Sequence, residues 1–169
     1  MTETVTLVGA GPGGAELLTR GGGAALRQAD AVVYDRLVGE SILDLIPKGA
    51  ERICVGKKMG HHPVPQDEIN ALLVRLARQG KRTVRLKGGD CYLFGRGGEE
   101  CEYLKAHGVP FRVLPGVTSA LAAPAFAGIP VTHRDFCSSV HIVTAHARAG
   151  KSLCIDFEAL VRTGGTLVF

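Results

Sequence analysis

Short apolar runs recur along this chain, each stopped by glycines or charged residues and each separated from the next by a helix-patterned stretch. They are Val5 to Val8, Ala31 to Tyr34, Arg52 to Val55, Thr83 to Lys87, Phe111 to Leu114, Val140 to Thr144 and Thr166 to Phe169. Strands that alternate with helices need crossover connections, and crossovers make a sheet parallel and cover both of its faces. The expected fold class is therefore α/β, a predominantly parallel sheet with helices on both faces. Pro65 to Gln79 is the clearest helix, with proline at its first position, Asp67 and Glu68 in its first turn, and Ile69, Leu72, Leu73 and Leu76 at spacings of three and four. Further helices are predicted over Glu40 to Ile46, Glu99 to Ala106, Ser119 to Ala127 and around Asp156 to Arg162. The first interstrand segment carries Gly21-Gly22-Gly23, and each glycine costs about 1 kcal/mol relative to alanine in a helix. That helix should be frayed or irregular. A chain of 169 residues, 46% of them hydrophobic, can bury one substantial core, so one domain over 1–169 is expected.

In open α/β sheets ligands bind outside the carboxyl ends of the strands. Thr83 to Glu100, TVRLKGGDCYLFGRGGEE, places Asp90 there: Val84 and Leu86 alternate with Thr83, Arg85 and Lys87 as a strand should, and Gly88-Gly89 stops the strand. Glycines let a backbone approach a ligand closely. The alternative for Asp90 is a tight turn or a helix cap. Gly9-Ala10-Gly11-Pro12-Gly13-Gly14 satisfies the dinucleotide fingerprint, and Asp35 follows at the distance of a ribose-binding acid. The glycine run in the next helix and the stiffness of Pro12 argue against that reading. Lys57 and Lys58 end the third strand, where they are either solvated surface charge or site residues.

Several classes are disfavoured. His61 and His62 are adjacent in a loop without a third spaced ligand, so no metal is expected. Cys54, Cys91, Cys101, Cys137 and Cys154 are odd in number without CxxC spacing and read as free thiols. A net charge of +4 spread along the chain, with six Phe, three Tyr and no Trp, gives little support to nucleic-acid binding. No apolar run approaches the ~20 residues of a membrane helix, and a cytoplasmic location is expected.

The string LKGGD followed by FGRGGEE resembles the signature of the uroporphyrinogen-III C-methyltransferases. The same family is echoed, in order, by VGAGPG at Val8 to Gly13, VVYDRLV at Val32 to Val38, VGKK at Val55 to Lys58, VPQDEIN at Val64 to Asn70, PGVTSALAAPAFAGIPVTHR at Pro115 to Arg134, and TLVF at the end. The resemblance implies a first domain of a two-domain tetrapyrrole methylase fold, with the second domain absent from this chain and the methyl donor S-adenosylmethionine between the two. By the same resemblance Pro12, Gly88, Gly89, Asp90, Leu93, Thr118 and Ser119 would line the donor site. Asp35 would be the proton acceptor and Lys57 the proton donor. Arg36, Lys58, Arg96 and Arg134 are candidates to grip the acetate and propionate groups of uroporphyrinogen III. The implied reaction is methylation of that tetrapyrrole to precorrin-2 by a homodimer. A methylase of a later precorrin and a Rossmann-type nucleotide-binding module are the alternatives. The chain departs from the family at Gly14-Ala15, usually Asp-Pro; at Cys91-Tyr92, usually Pro-Phe; and at Ala145, usually glycine.

Overall fold

The computed structural model describes residues 2–56, 64–144 and 155–169. The expectations for Lys57, Lys58, His61, His62, Ala145 and Cys154 lie outside these. The chain divides into two compact units, Met1–Ser119 and Ala120–Phe169.

In the first unit β1 (Val5–Gly9), β2 (Ala31–Tyr34), β3 (Glu51–Cys54), β4 (Thr83–Lys87) and β5 (Phe111–Leu114) form one sheet in the order β3-β2-β4-β1-β5. Every pairing in it is parallel. Helices α1 (Arg20–Arg27), α2 (Glu40–Leu43), α3 (Gln66–Arg78) and α4 (Gly97–Ala106) connect the strands. Side chains alternate across a strand, and here each face buries its own set. Val5, Leu7, Ala31 and Val33 pack with Ile69, Leu73 and Leu76 of α3 and Leu104 of α4. Val8, Val32, Val84 and Leu86 pack with Ala25 and Leu26 of α1 and Ile42 of α2. Beneath the opposite ends of the strands, Arg82 forks onto Asp30 at 2.9 and 2.7 Å. The hydrogen bonds from Arg82 hold the Asp30 carboxyl down at about 2.

All five residues of β4 are buried, its polar ones included, as the covering of both faces by helices requires. Its Arg85 and Lys87 lie under α3 and α4, the face opposite Val84 and Leu86. One expectation is corrected in this unit: the glycine run does not fray the first helix. A 3-10 turn at Ala15–Leu17 leads into Thr19, whose side chain accepts from the Gly22 N–H, and α1 then runs unbroken through all three glycines. Packing explains the middle one: a Cβ on Gly22 would lie 2.9 Å from Val8 Cγ1. At Gly21 the nearest atom would be 3.8 Å away, in Leu114, and at Gly23 3.5 Å away, in Arg27. Gly21→Ala and Gly23→Ala should therefore each stabilise the chain by about 0.5–1 kcal/mol, while Gly22→Ala destabilises it. Urea midpoints of the three variants check the signs, and a common sign would overturn the packing argument.

The second unit holds most of α5 (Ser119–Phe126), then β6 (Val140–Ile142), α6 (Phe157–Arg162) and β7 (Thr166–Val168). β6 and β7 pair parallel with each other in a sheet of their own rather than extending the first. Asp156 caps α6 by accepting from the Ala159 N–H at 2.8 Å.

Candidate functional site

β1 and β4 are neighbours, yet they send their connections in opposite directions, β1 through α1 to β2 and β4 through α4 to β5. Ligand crevices open at the carboxyl ends of such a pair. The loops that leave those ends are clamped together. Gly11 and Gly89 exchange backbone hydrogen bonds of 3.0 and 2.8 Å, and Ala10 N–H donates to the Lys87 carbonyl at 2.8 Å. A Cβ on Gly9 would come within 2.6 Å of Gly116 Cα and 2.9 Å of the Gly89 carbonyl oxygen, so three backbones meet with no room for a side chain. Gly89 has a φ of +64° and faces open space on its other side. The left-handed region and the free approach both suit glycine.

Asp90 ties this junction. Its Oδ1 accepts from Tyr92 N–H at 2.8 Å and Leu93 N–H at 2.9 Å, and its Oδ2 accepts from Gly116 N–H at 3.0 Å. The side chain thus makes the turn that the simpler reading foresaw, and in addition joins the β4 loop to the Pro115–Gly116 loop that carries Thr118 and Ser119. Pro12, Gly88, Leu93 and Thr118 are half-buried around it, and Ser119 is exposed. The bare Cα of Gly89, flanked by these residues, lets a ligand pack closely against the backbone. Further along, Phe94 and Arg96 adopt positive φ of 55° and 60° without being glycine, a strain that clusters at ligand sites.

Asp35 follows β2 on the same rim. Its Oδ1 accepts from Leu37 N–H at 3.1 Å, and its Oδ2 faces Arg85 Nη2 at 3.9 Å. A Cβ on Gly88 would sit 2.6 Å from Leu37 Cβ, which places the Asp35 loop against the Gly88-Gly89 loop. Leu37 itself is 81% exposed. Of the four proposed cations, Arg36 is exposed beside Asp35. Arg96 is forked onto Glu99 at 2.9 and 2.6 Å on the surface. Arg134 is exposed in the second unit.

A buried ionic cluster that local sequence pattern does not reveal lies beneath this rim. Arg85 (3% exposed), Lys87 (4%) and Glu100 (0%) converge under α3 and α4. Glu100 Oε1 accepts from Arg85 Nε at 3.0 Å, Lys87 Nζ at 3.0 Å and Gln66 Nε2 at 3.2 Å. Glu100 Oε2 is buried without a partner among the described residues. Burial, reinforced by the charge on Arg85, pulls the Lys87 ammonium below the usual lysine range, against the opposing pull of Glu100. The available signal was β4 itself: a central parallel strand has no solvated face, so its Arg and Lys required an acid from a covering helix.

The two buried cysteines are poor nucleophiles. Burial pushes the Cys91 thiol up to about 11, and burial likewise raises Cys101, to which Tyr92 Oη donates at 3.3 Å. Cys54, Cys91, Cys101 and Cys137 are free thiols. Among the described residues there is no cluster of metal-ligating side chains and no helix long and apolar enough to cross a membrane.

The dinucleotide alternative fails on topology. A Rossmann half-domain sets its first two strands side by side and starts its helix at the glycine fingerprint. Here β4 lies between β1 and β2, and α1 starts at Arg20, beyond the 3-10 turn, with Thr19 already capping it.

Residues 4–169 match the profile of the tetrapyrrole (corrin/porphyrin) methylases. A siroheme synthase from Pseudomonas aeruginosa is 55% identical over 99% of this chain, which spans 36% of that protein. A uroporphyrin-III C-methyltransferase from Thermus thermophilus, solved with S-adenosylhomocysteine, is 46% identical with a TM-score of 0.73, over 88% of this chain and 58% of its own. A cobalt precorrin-4 methyltransferase is 31% identical with a TM-score of 0.83, over 98% of this chain and 68% of its own. The chain thus spans about a third of the length of the curated relatives it matches.

Proposed function

Since the chain belongs to the tetrapyrrole (corrin/porphyrin) methylases, we propose that it is the N-terminal part of an S-adenosylmethionine-dependent uroporphyrinogen-III C-methyltransferase, whose fold continues outside residues 1–169. The observation that carries this is the loop junction at the carboxyl ends of β1 and β4, where the Gly88-Gly89 loop, tied by Asp90, lies against the loop that carries Asp35. S-adenosylmethionine supplies an electrophilic methyl group. Pro12, Gly88, Gly89, Leu93, Thr118 and Ser119 hold and orient it, and Asp90 fixes the loops they stand on. Orientation is most of what such a transfer needs, because attack by a ring carbon is in line with the departing sulfur. The methylated macrocycle must then lose a proton to recover conjugation, and Asp35 accepts it. Lys57, as proton donor, and Lys58 complete the proposal at positions matched within the VGKK motif. Arg36, Arg96 and Arg134 are the cations proposed for the substrate's carboxylates; for Arg96 this requires exchange of Glu99 for a substrate group.

Uroporphyrinogen III is favoured over a later precorrin by residue identity, 46% against 31%. The TM-scores run the other way, 0.73 against 0.83. We follow identity, because substrate choice is carried by side chains and not by the course of the backbone. Precorrin-2, made through precorrin-1, would be the product, and the resemblance carries the expectation of a cytoplasmic homodimer. Calorimetry tests the donor site. The complete protein should bind S-adenosylhomocysteine, and residues 1–169 alone should bind it more weakly, because half of a cleft cannot enclose a ligand. Binding of NAD that is lost on substitution of Asp35 in this domain would overturn the proposal.

A further inference from the structure

We propose that Glu100 is a positioning residue: buried and distant from solvent, it fixes the Arg85 guanidinium so that one edge faces Asp35, and so sets the base of the reaction. The inference rests on the assignment of Asp35 as that base.

Arg85 is anchored on every other side. Its Nε donates to Glu100 Oε1 at 3.0 Å, and its Nη1 donates to the carbonyls of Val33 at 3.3 Å and Leu86 at 3.2 Å. Only Nη2 is directed to the rim, where Asp35 Oδ2 stands at 3.9 Å. Both carbonyls belong to central strands, so the guanidinium plane is tied to the most rigid part of the sheet. Glu100 is tied in turn. It sits in the first turn of α4, where a carboxylate is favoured by the helix dipole, and Gln66 of α3 steadies the same oxygen while also donating to Asn70 at 2.9 Å. Lys87 brings a second positive charge to the same oxygen. A structural ion pair needs one partner; here a single oxygen gathers three donors. The arginine it holds faces a rim carboxylate that has an oxygen left over, Asp35 Oδ1 being taken by Leu37 N–H and Oδ2 facing Arg85. Planar, always charged and rigidly forked, Arg85 can hold that carboxylate in one orientation, which a lysine could not.

A double-mutant cycle on turnover by the complete protein tests this, using Glu100→Gln, Asp35→Asn and the pair, with uroporphyrinogen III and S-adenosylmethionine. Glu100→Gln alone should lower kcat at least tenfold, with KM and the calorimetric affinity for S-adenosylhomocysteine within about threefold of wild type. In the Asp35→Asn background it should lower kcat by less than twofold, because the group it positions is already gone. Equal factors in both backgrounds would show that Glu100 only supports the fold, and would sink the inference while leaving Asp35 as base. If Asp35→Asn itself leaves kcat intact, the assignment of the base fails and the positioning role with it, a separate and recognisable outcome. Should Glu100→Gln not fold, Glu100→Asp, which keeps the charge but withdraws it by one methylene, goes through the same cycle with the same two readings.

Discussion

Asp35→Asn in the complete protein is expected to lower turnover of uroporphyrinogen III about 100-fold to 10,000-fold, the range general-base catalysis contributes, with S-adenosylhomocysteine affinity nearly unchanged. The substitution keeps the shape of the side chain. Its Oδ1 can still accept from Leu37 N–H, so the loop after β2 has no reason to move. What disappears is the negative charge facing Arg85 and the lone pair that would take a proton. Steady-state kinetics and calorimetry on the same preparation check the two halves. A loss of affinity equal to the loss of turnover would mean that Asp35 binds ligand and performs no proton transfer. If turnover survived, Asp90 would be a poor replacement, since its carboxylate already accepts three backbone N–H groups. Lys57 would then be the next residue to replace.

The sheet was legible because its strands announce themselves. Val5 to Val8, Ala31 to Tyr34 and Phe111 to Leu114 are short, apolar and flanked by breakers, and the structure places strands there. Strand order was not legible, since the insertion of β4 between β1 and β2 is decided by long-range packing that no local pattern encodes. That order also separates this chain from the dinucleotide folds that its glycine fingerprint imitates. At the site, Asp35 and Asp90 stand on the rim as their strand-end positions implied, but the work of Asp90's oxygens depends on Gly116, 26 residues away. The Arg85–Glu100–Lys87 cluster was half legible: helices on both faces imply that the polar side of β4 is buried, but that Glu100 is the acid meeting it depends on how α4 packs. The glycines of α1 misled: propensity disfavours a helix there, yet Val8 against Gly22 requires a residue without a side chain.

Gly116→Ala is expected to be the most destabilising single methyl that can be added to this chain's candidate site, at about 3 kcal/mol. Overpacking of a well-filled interior usually costs 1–3 kcal/mol, and here the neighbours are backbone, which cannot rotate away. The new Cβ would overlap the Gly89 carbonyl oxygen and lie 2.6 Å from the Gly9 carbonyl carbon, so the loops after β1, β4 and β5 would all have to part. Parting them strains the Gly11–Gly89 hydrogen bonds and draws Gly116 N–H away from Asp90. Gly49→Ala is the control. Nothing lies within 4 Å of a Cβ there, and the change should stay within about 0.5 kcal/mol. Urea midpoints at constant m-value give both numbers. In the complete protein Gly116→Ala should also weaken S-adenosylhomocysteine binding, since the loop junction that unfolding feels is the one that presents Gly88 and Gly89 to the crevice. A Gly116→Ala protein as stable as the Gly49→Ala control would mean that the three loops are free to separate, and the clamped crevice described here would have to be given up.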